Sequence, residues 1–185
     1  NRCRRQRQMC IRDRINLVAV IVFVSILAVT AAPRFLNIQD DAREAHLEGM
    51  KGAIASGLGM GYRKMVVDGL AEYRYVSNIN SDSSETPTIP AMSLPFPGCE
   101  INGSKHCAFR YGYADADESS LSILVPELSA QHGKSDWRIE SNKNELTTYI
   151  YARDDEKSDS TQCTIKYTPP ANLGDGYTLE ILPCS

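Results

Sequence analysis

The stretch that most constrains this chain is residues 15–33, INLVAVIVFVSILAVTAAP, which is apolar apart from Asn16, Ser25 and Thr30. It carries no charged residue. As an α-helix it would extend about 28 Å, close to the ~30 Å hydrocarbon thickness of a bilayer. Because such a helix is apolar on every side, it needs lipid or other apolar helices around it. The stretch therefore predicts a membrane-spanning helix or one packed among other apolar helices.

The segment before this stretch, residues 1–14, is strongly basic and contains one acid, Asp13. Its basic residues are all arginines: Arg2, Arg4, Arg5, Arg7, Arg12 and Arg14. Arginines beside an apolar span are typical of the cytoplasmic flank, so the chain after Pro33 is predicted to lie outside the cytoplasm. The segment has no apolar periodicity, and two interpretations stay open: a basic leader, or a non-native segment foreign to the gene.

The rest of the chain is acidic, because the formal net charge of the whole is −3 despite the arginine-rich start. An acidic chain of this kind argues against general binding of nucleic acid. Its length of 185 residues fits one domain with an appended segment.

Four of the six cysteines fall in the part predicted to be exported: Cys99, Cys107, Cys163 and Cys184. An even number of cysteines in such a place predicts two disulfides. Three pairings are open, and we favour the local one, Cys99 with Cys107 and Cys163 with Cys184. Free or metal-binding thiols are the alternative, although neither a C-x-x-C pair nor zinc-finger spacing is present.

After Pro33 the pattern becomes amphipathic and predicts that the helix continues through residues 34–68. The apolar positions share one helical face: Leu36, Leu47, Met50, Ile54 and Leu58. Pro33 predicts a kink at the junction, because proline lacks a backbone donor and clashes with the preceding turn. Three glycines, Gly57, Gly59 and Gly61, weaken the helix, and the apolar spacing resumes at Met65, Val66 and Leu70.

The remaining chain predicts a long loop followed by an antiparallel sheet. Residues 69–107 are polar and rich in proline, as expected of a loop. Short β-type runs separated by turn residues then follow, at residues 108–113, 121–125, 137–140, 147–152, 163–168 and 177–182. The apolar face of the helix would cover one face of this sheet, which gives an α+β fold.

Three groups of polar or flexible residues are candidates for a site. The histidines His46, His106 and His132 lack a nearby nucleophile signature and are interpreted as surface residues. Asp115, Asp117 and Glu118 could bind calcium, but their spacing lacks the glycine and distal glutamate of a calcium loop. The glycines at 57, 59 and 61 follow no strand, so close helix packing or fraying explains them better than a nucleotide loop.

The run SILAVTAAPRFLNIQDDAREAHLEGMKGAI, which begins at Ser25, resembles the amino-terminal helix of type IV pilins. It is most similar to the mannose-sensitive haemagglutinin (MSHA) pilin group, in which an apolar segment ends at a proline followed by Arg-Phe-Leu-Asn and Asp-Asp-Ala-Arg. The segments YGYAD, LVPELS, DWRIE and CTIKYTPP resemble the globular head of the same group more loosely.

The resemblance implies a structural subunit of an MSHA-type pilus, used for surface adhesion and biofilm formation. It implies a transmembrane and filament-core helix at residues 15–33 and a head at residues 34–185, with the sheet and carboxyl-terminal disulfide region at residues 108–185. The filament-core positions would be Asn16, Leu17, Val20, Val24, Leu27, Pro33, Arg34 and Phe35.

The implied partners are copies of the chain in a helical filament, other pilins, the inner-membrane assembly machinery and lipid before assembly. Contact with an extracellular surface or glycan is also implied, and nucleic acid is not. The chain would cross the inner membrane once and then enter an extracellular pilus, without enzymatic activity, cofactor or metal.

The front of the chain departs from the family. Where the family has Gly-Phe-Thr-Leu-Ile-Glu, a peptidase and methylation site, this chain has Ile11, Arg12, Asp13, Arg14, Ile15 and Asn16. Two other functions stay open: a pseudopilin of a type II secretion system, and a single-pass membrane protein whose periplasmic head binds a ligand.

Overall fold

The computed structural model describes residues 2–80, 90–128, 135–153 and 159–184, without the side chains of residues 2–14 and 32–39. The fold is α+β, with two antiparallel sheets. The chain divides into two compact units, Asn1–Ala42 and Arg43–Ser185. The first consists of helix, and the second holds the remainder of that helix and both sheets.

The long helix α1 comprises Arg2–Val67. It ends one residue before the predicted end, where Gly69 adopts a φ of 69°. The N–H of Leu70 donates to Met65 O at 2.8 Å and that of Gly69 to Val66 O at 3.0 Å, which is the Schellman arrangement. Glycine at this position stops the helix because it adopts the left-handed conformation without a steric cost.

Among the residues that the structure describes, no helix has both the length and the apolar character that crossing a membrane requires. The described side chains of the predicted span, residues 15–33, stop at Ala31. The kink predicted at Pro33 and the apolar position Leu36 lie outside the described side chains.

The first sheet has three short strands in chain order: β1 (Val76–Ser77), β2 (Ala108–Arg110) and β3 (Tyr113–Ala114). The second sheet is a meander of four: β4 (Trp137–Asn142), β5 (Thr147–Ala152), β6 (Thr164–Thr168) and β7 (Thr178–Leu182). Along the chain, a short helix, α2 (Glu118–Leu124), and a 3-10 turn, Pro126–Leu128, separate β3 from β4.

A row of isoleucines, one from each strand, marks the inner face of the second sheet. Ile139 pairs with Ile150, Ile150 with Ile165, and Ile165 with Ile181. Ile150 and Ile165 are fully buried, and the outer two pack against the same core. Because alternate residues of a strand point to opposite sides, this register commits one whole face of the sheet to the core.

The head half of α1 supplies the other side of this core. The buried helix residues are Leu47, Met50, Ile54, Leu58 and Met65. The predicted apolar face is therefore confirmed for every described member. Val66 is an exception to the resumed spacing, because its side chain is 49% exposed.

Three predictions about the other elements were wrong. Residues 121–125 belong to α2 and its end instead of a strand, because Asp117 accepts a hydrogen bond from the N–H of Ser120 at 2.8 Å and starts a helix. The predicted strand at 108–113 is divided by a turn in which Gly112 has a φ of 82°. The predicted loop at 69–107 contains β1, whose partner is β2.

Candidate functional site

The apolar helix at residues 15–31 is uncovered. Every large apolar side chain between Ile15 and Val29 is exposed, from 51% at Val22 to 75% at Val29. In a soluble core these side chains would be buried, and burying each would contribute about 1.5–3 kcal/mol. Among the described residues, this helix therefore has the longest run of exposed large apolar side chains.

The exposure extends around the whole circumference of the helix. The consecutive residues Val20, Ile21, Val22, Phe23 and Val24 are all more than half exposed. Since successive residues of an α-helix are turned by about 100°, five in a row point in every direction. A helix lying on a surface would have one polar side, whereas the exposed large side chains of this helix are apolar on every side.

The two hydroxyl groups in this segment are compatible with an apolar environment. Ser25 Oγ donates to Ile21 O at 2.7 Å, and Thr30 Oγ1 donates to Leu27 O at 3.0 Å. Because both donors are satisfied by the helix itself, neither needs water. Asn16 is the remaining polar side chain of the segment, and it is exposed.

The structure places five of the predicted filament-core residues on this helix with exposed side chains: Asn16, Leu17, Val20, Val24 and Leu27. The side chains of Pro33, Arg34 and Phe35 lie outside the described part. What these residues contact in an assembly remains a prediction.

Both disulfides are present, and both join the cysteines that the local pairing predicts. The Cα atoms are 5.7 Å apart for Cys99 and Cys107 and 4.4 Å apart for Cys163 and Cys184. The backbone N–H of Cys184 also donates to Glu44 Oε1 at 3.2 Å. The end of the chain is thus fastened both to the sheet and to α1.

Of the three glycines at residues 57, 59 and 61 of α1, two serve close packing. A Cβ on Gly57 would lie 2.9 Å from Leu124 O, and one on Gly61 would lie 2.7 Å from Leu124 Cδ2. A Cβ on Gly59 would meet nothing within 4 Å. Gly57 and Gly61 therefore let the end of α2 approach the helix, as the packing interpretation of these glycines expects.

The acidic cluster is engaged in local structure. Arg110 Nε lies 3.2 Å from Asp115 Oδ1, and Asp117 caps α2. His106 Nδ1 lies 3.9 Å from Asp117 Oδ1 and 3.4 Å from Ser119 Oγ. Within the described part of the chain, no group of three or more histidine, cysteine, aspartate or glutamate residues could hold a metal ion.

Of the other two histidines, His46 falls within the described residues. It is exposed, and its ring lies 4.7 Å, centroid to centroid, from that of Trp137. His132 lies outside the described residues.

A group of tyrosines joins α1 to both sheets, and the sequence analysis missed it. Tyr62 stacks on Tyr113 at 4.7 Å between ring centroids, and Tyr177 meets Tyr113 edge-on at 5.2 Å. Tyr167 is fully buried and its hydroxyl donates to Ala114 O at 2.5 Å. Burial raises the pKa of Tyr167 well above its ordinary value, and the nearby Asp115 carboxylate adds to this rise. No spacing in the sequence could reveal the group, because its members come from distant segments.

The sequence analysis also missed Asn78, whose side chain is fully buried beneath the Cys99–Cys107 loop. Its Oδ1 accepts from the N–H of Cys107 at 2.9 Å, and its Nδ2 donates to Lys105 O at 2.7 Å. The Asn102–Gly103 pair marks a turn inside this loop, but no signal in the sequence marks Asn78 itself.

Comparison with known proteins adds no identification. No family model matches the chain, and no curated protein and no solved structure matches it.

Proposed function

We propose that this chain is the structural subunit of a type IV pilus of the MSHA kind, which polymerises through its apolar amino-terminal helix. The observation that carries the proposal is the helix at residues 15–31, whose apolar side chains are exposed on all sides. The resemblance of the run beginning at Ser25 to MSHA pilins supports the same function.

The occupant proposed for this helix changes during assembly. Before assembly the helix lies in the inner membrane, where lipid covers it. In the filament, the same helices of neighbouring copies replace the lipid, because a surface that suits hydrocarbon also suits other apolar helices. No covalent step is needed for this exchange, and the head remains outside the membrane throughout.

The disulfides support an extracytoplasmic location for the head, because such bonds persist in oxidising compartments. Adhesion to surfaces and formation of biofilm would then belong to the assembled filament. The adhesive role itself rests on the resemblance alone.

Electron microscopy tests the proposal on cells that express the chain with Asn16→Glu and a Gly-Phe-Thr-Leu leader, the form expected to assemble, with filaments labelled by an antibody against the head. Val24→Arg should abolish filaments, because a charge at the centre of an apolar helix costs about 2.5–3.5 kcal/mol in an apolar environment. Leu173→Arg is the matched control, since Leu173 is 63% exposed in the head. It should leave filaments unchanged.

Filaments that persist in the Val24→Arg cells would refute a core role for the helix. Short filaments that form only with a type II secretion system would point to a pseudopilin. Labelled protein that stays monomeric in the membrane would point to a single-pass protein with a ligand-binding head.

A further inference from the structure

The loop closed by Cys99 and Cys107 is exposed in its middle and anchored at its two buried ends. Both cysteines are fully buried, whereas Asn102 near the middle of the loop is exposed. Asn78 fastens the loop from below, because its side chain bonds to the backbone of residues 100, 105 and 107. The backbone carbonyl oxygen of Asn78 also accepts a hydrogen bond from the N–H of Asn102 at 2.9 Å.

Within this loop, Asn102 and Gly103 form a tight turn. The N–H of Gly103 donates to Glu100 O at 2.7 Å, and Asn102 adopts a φ of 56°, which asparagine tolerates better than most residues. A Cβ on residue 103 would lie 2.5 Å from Gly98 O, so only glycine fits there. The backbone thus favours glycine or asparagine at residue 102 and admits only glycine at residue 103, and this is the one asparagine–glycine pair in the sequence.

An asparagine followed by glycine has a reaction open to it. The backbone nitrogen of Gly103, after losing its proton to water or hydroxide, attacks Cγ of Asn102. The bond from Cγ to Nδ2 breaks, ammonia leaves, and a cyclic succinimide forms. Water then opens either carbonyl of the ring and gives aspartate or isoaspartate, so the balance is one water gained and one ammonia lost.

The closed loop opposes the first step. The nucleophile, Gly103 N, has its hydrogen directed to Glu100 O, and the N–H of Asn102 is bound to Asn78 O. Both bonds fix the backbone on either side of the Cα of Asn102, from which the reacting side chain branches. For Gly103 N to turn toward the side chain of Asn102, the turn must open, and the reaction is then limited by the population of the open form.

We propose that Asn102 is a deamidation site that the Cys99–Cys107 disulfide keeps closed. Reduction of this disulfide by a thiol opens the turn, and Asn102 then deamidates to aspartate or isoaspartate. Isoaspartate adds a carbon to the backbone, so the turn between Glu100 and Gly103 does not re-form on reoxidation. The exposed loop also gains a negative charge.

Peptide mapping by mass spectrometry tests the proposal on the purified full-length protein, incubated at mildly alkaline pH. The double substitution Cys99→Ser with Cys107→Ser should raise the deamidation rate of Asn102 about tenfold or more, because the open turn becomes common. Cys163→Ser with Cys184→Ser is the matched control, and Asn102 should react there at the slow rate of the unchanged protein.

Equal rates in all three proteins would overturn the proposal, as would an equal rise in both double variants, which would indicate general unfolding. If circular dichroism shows that the first double variant is unfolded, Asn78→Ala with both disulfides intact replaces it. This variant removes the side-chain bonds that fasten the loop and should also accelerate the reaction. A rate of Asn102 deamidation unchanged by Asn78→Ala would then refute the role of the closed loop.

Discussion

The same substitution should have opposite effects at two glycines of α1. Gly59→Ala places a methyl group where no atom lies within 4 Å. Since alanine is favoured over glycine in a helix by about 1 kcal/mol, this variant should be more stable by about that amount. Gly57→Ala gains the same preference, but its methyl group would lie 2.9 Å from Leu124 O and 2.9 Å from Val125 Cγ2.

The clash at Gly57 outweighs the helix preference because one of the atoms it meets is a backbone oxygen, which moves only with α2. Overpacking of a close-packed site costs about 1–3 kcal/mol, so the net effect should be destabilisation of up to about 2 kcal/mol. Gly61→Ala should fall between the two, since its methyl group meets only the flexible end of the Leu124 side chain.

Thermal unfolding of the full-length protein in mild detergent, followed by the fluorescence of Trp137, measures these differences. Trp137 is the one tryptophan of the chain and is buried in the head. For a protein of this size, 1 kcal/mol corresponds to a shift in Tm of about 2–4 °C. Gly59→Ala should raise Tm by that amount and Gly57→Ala should lower it. Equal shifts in the same direction would show that α2 does not pack closely on these glycines.

Three further perturbations address the core, the tyrosine group and assembly. Ile54→Asp should unfold the head, because it buries a charge without a partner in the core; an unchanged Tm would disprove the role of this helix face. Tyr167→Phe should cost about 1–3 kcal/mol near neutral pH by leaving a buried carbonyl without its donor. Because burial raises the folded-state pKa of Tyr167, the unchanged protein should lose stability above pH ~10 by about 1.4 kcal/mol per pH unit, and Tyr167→Phe should remove this part of the loss in alkaline melting curves. Finally, Asn16→Glu with a Gly-Phe-Thr-Leu leader should increase the number of pili, because the buried carboxylate would pair with the free amino terminus of a neighbouring copy and fix the register between copies. Abundant fibres from the unchanged chain would contradict this prediction.

The parts of the fold that the sequence predicted well are those governed by local periodicity. The face formed by Leu47, Met50, Ile54 and Leu58 repeats at helical spacing, and all four are buried. The strand predicted at residues 147–152 has the same bounds as β5, and all of its residues except Ala152 are β-branched or aromatic, the types that favour strands. Such patterns survive folding because burial rewards the spacing itself.

The errors lie where a single side-chain contact outweighs the pattern. The apolar run at 121–125 has strand-like residues, but the cap from Asp117 and the space left by Gly57 favour a helix there. The buried position of Asn78 depends on a loop about twenty residues later in the chain, so no local pattern predicts it. The apolar character of the helix at residues 15–31 is evident from the sequence, whereas the partners that would cover it stay a prediction.

The order of strands in the second sheet also bears on how the fold forms as the chain is synthesised. Each strand of the meander pairs with the strand just before it in the chain, so β5 finds β4 already present and β6 finds β5. The carboxyl-terminal fastening is different, since Cys184 must reach both Cys163 and the Glu44 carboxylate near the start of the head. A chain synthesised from its amino terminus can therefore build this sheet progressively, but it acquires the closure to Cys163 and Glu44 only after Cys184 has been made. A chain cut short before Cys184 would keep all four strands of the sheet and lack both of these contacts.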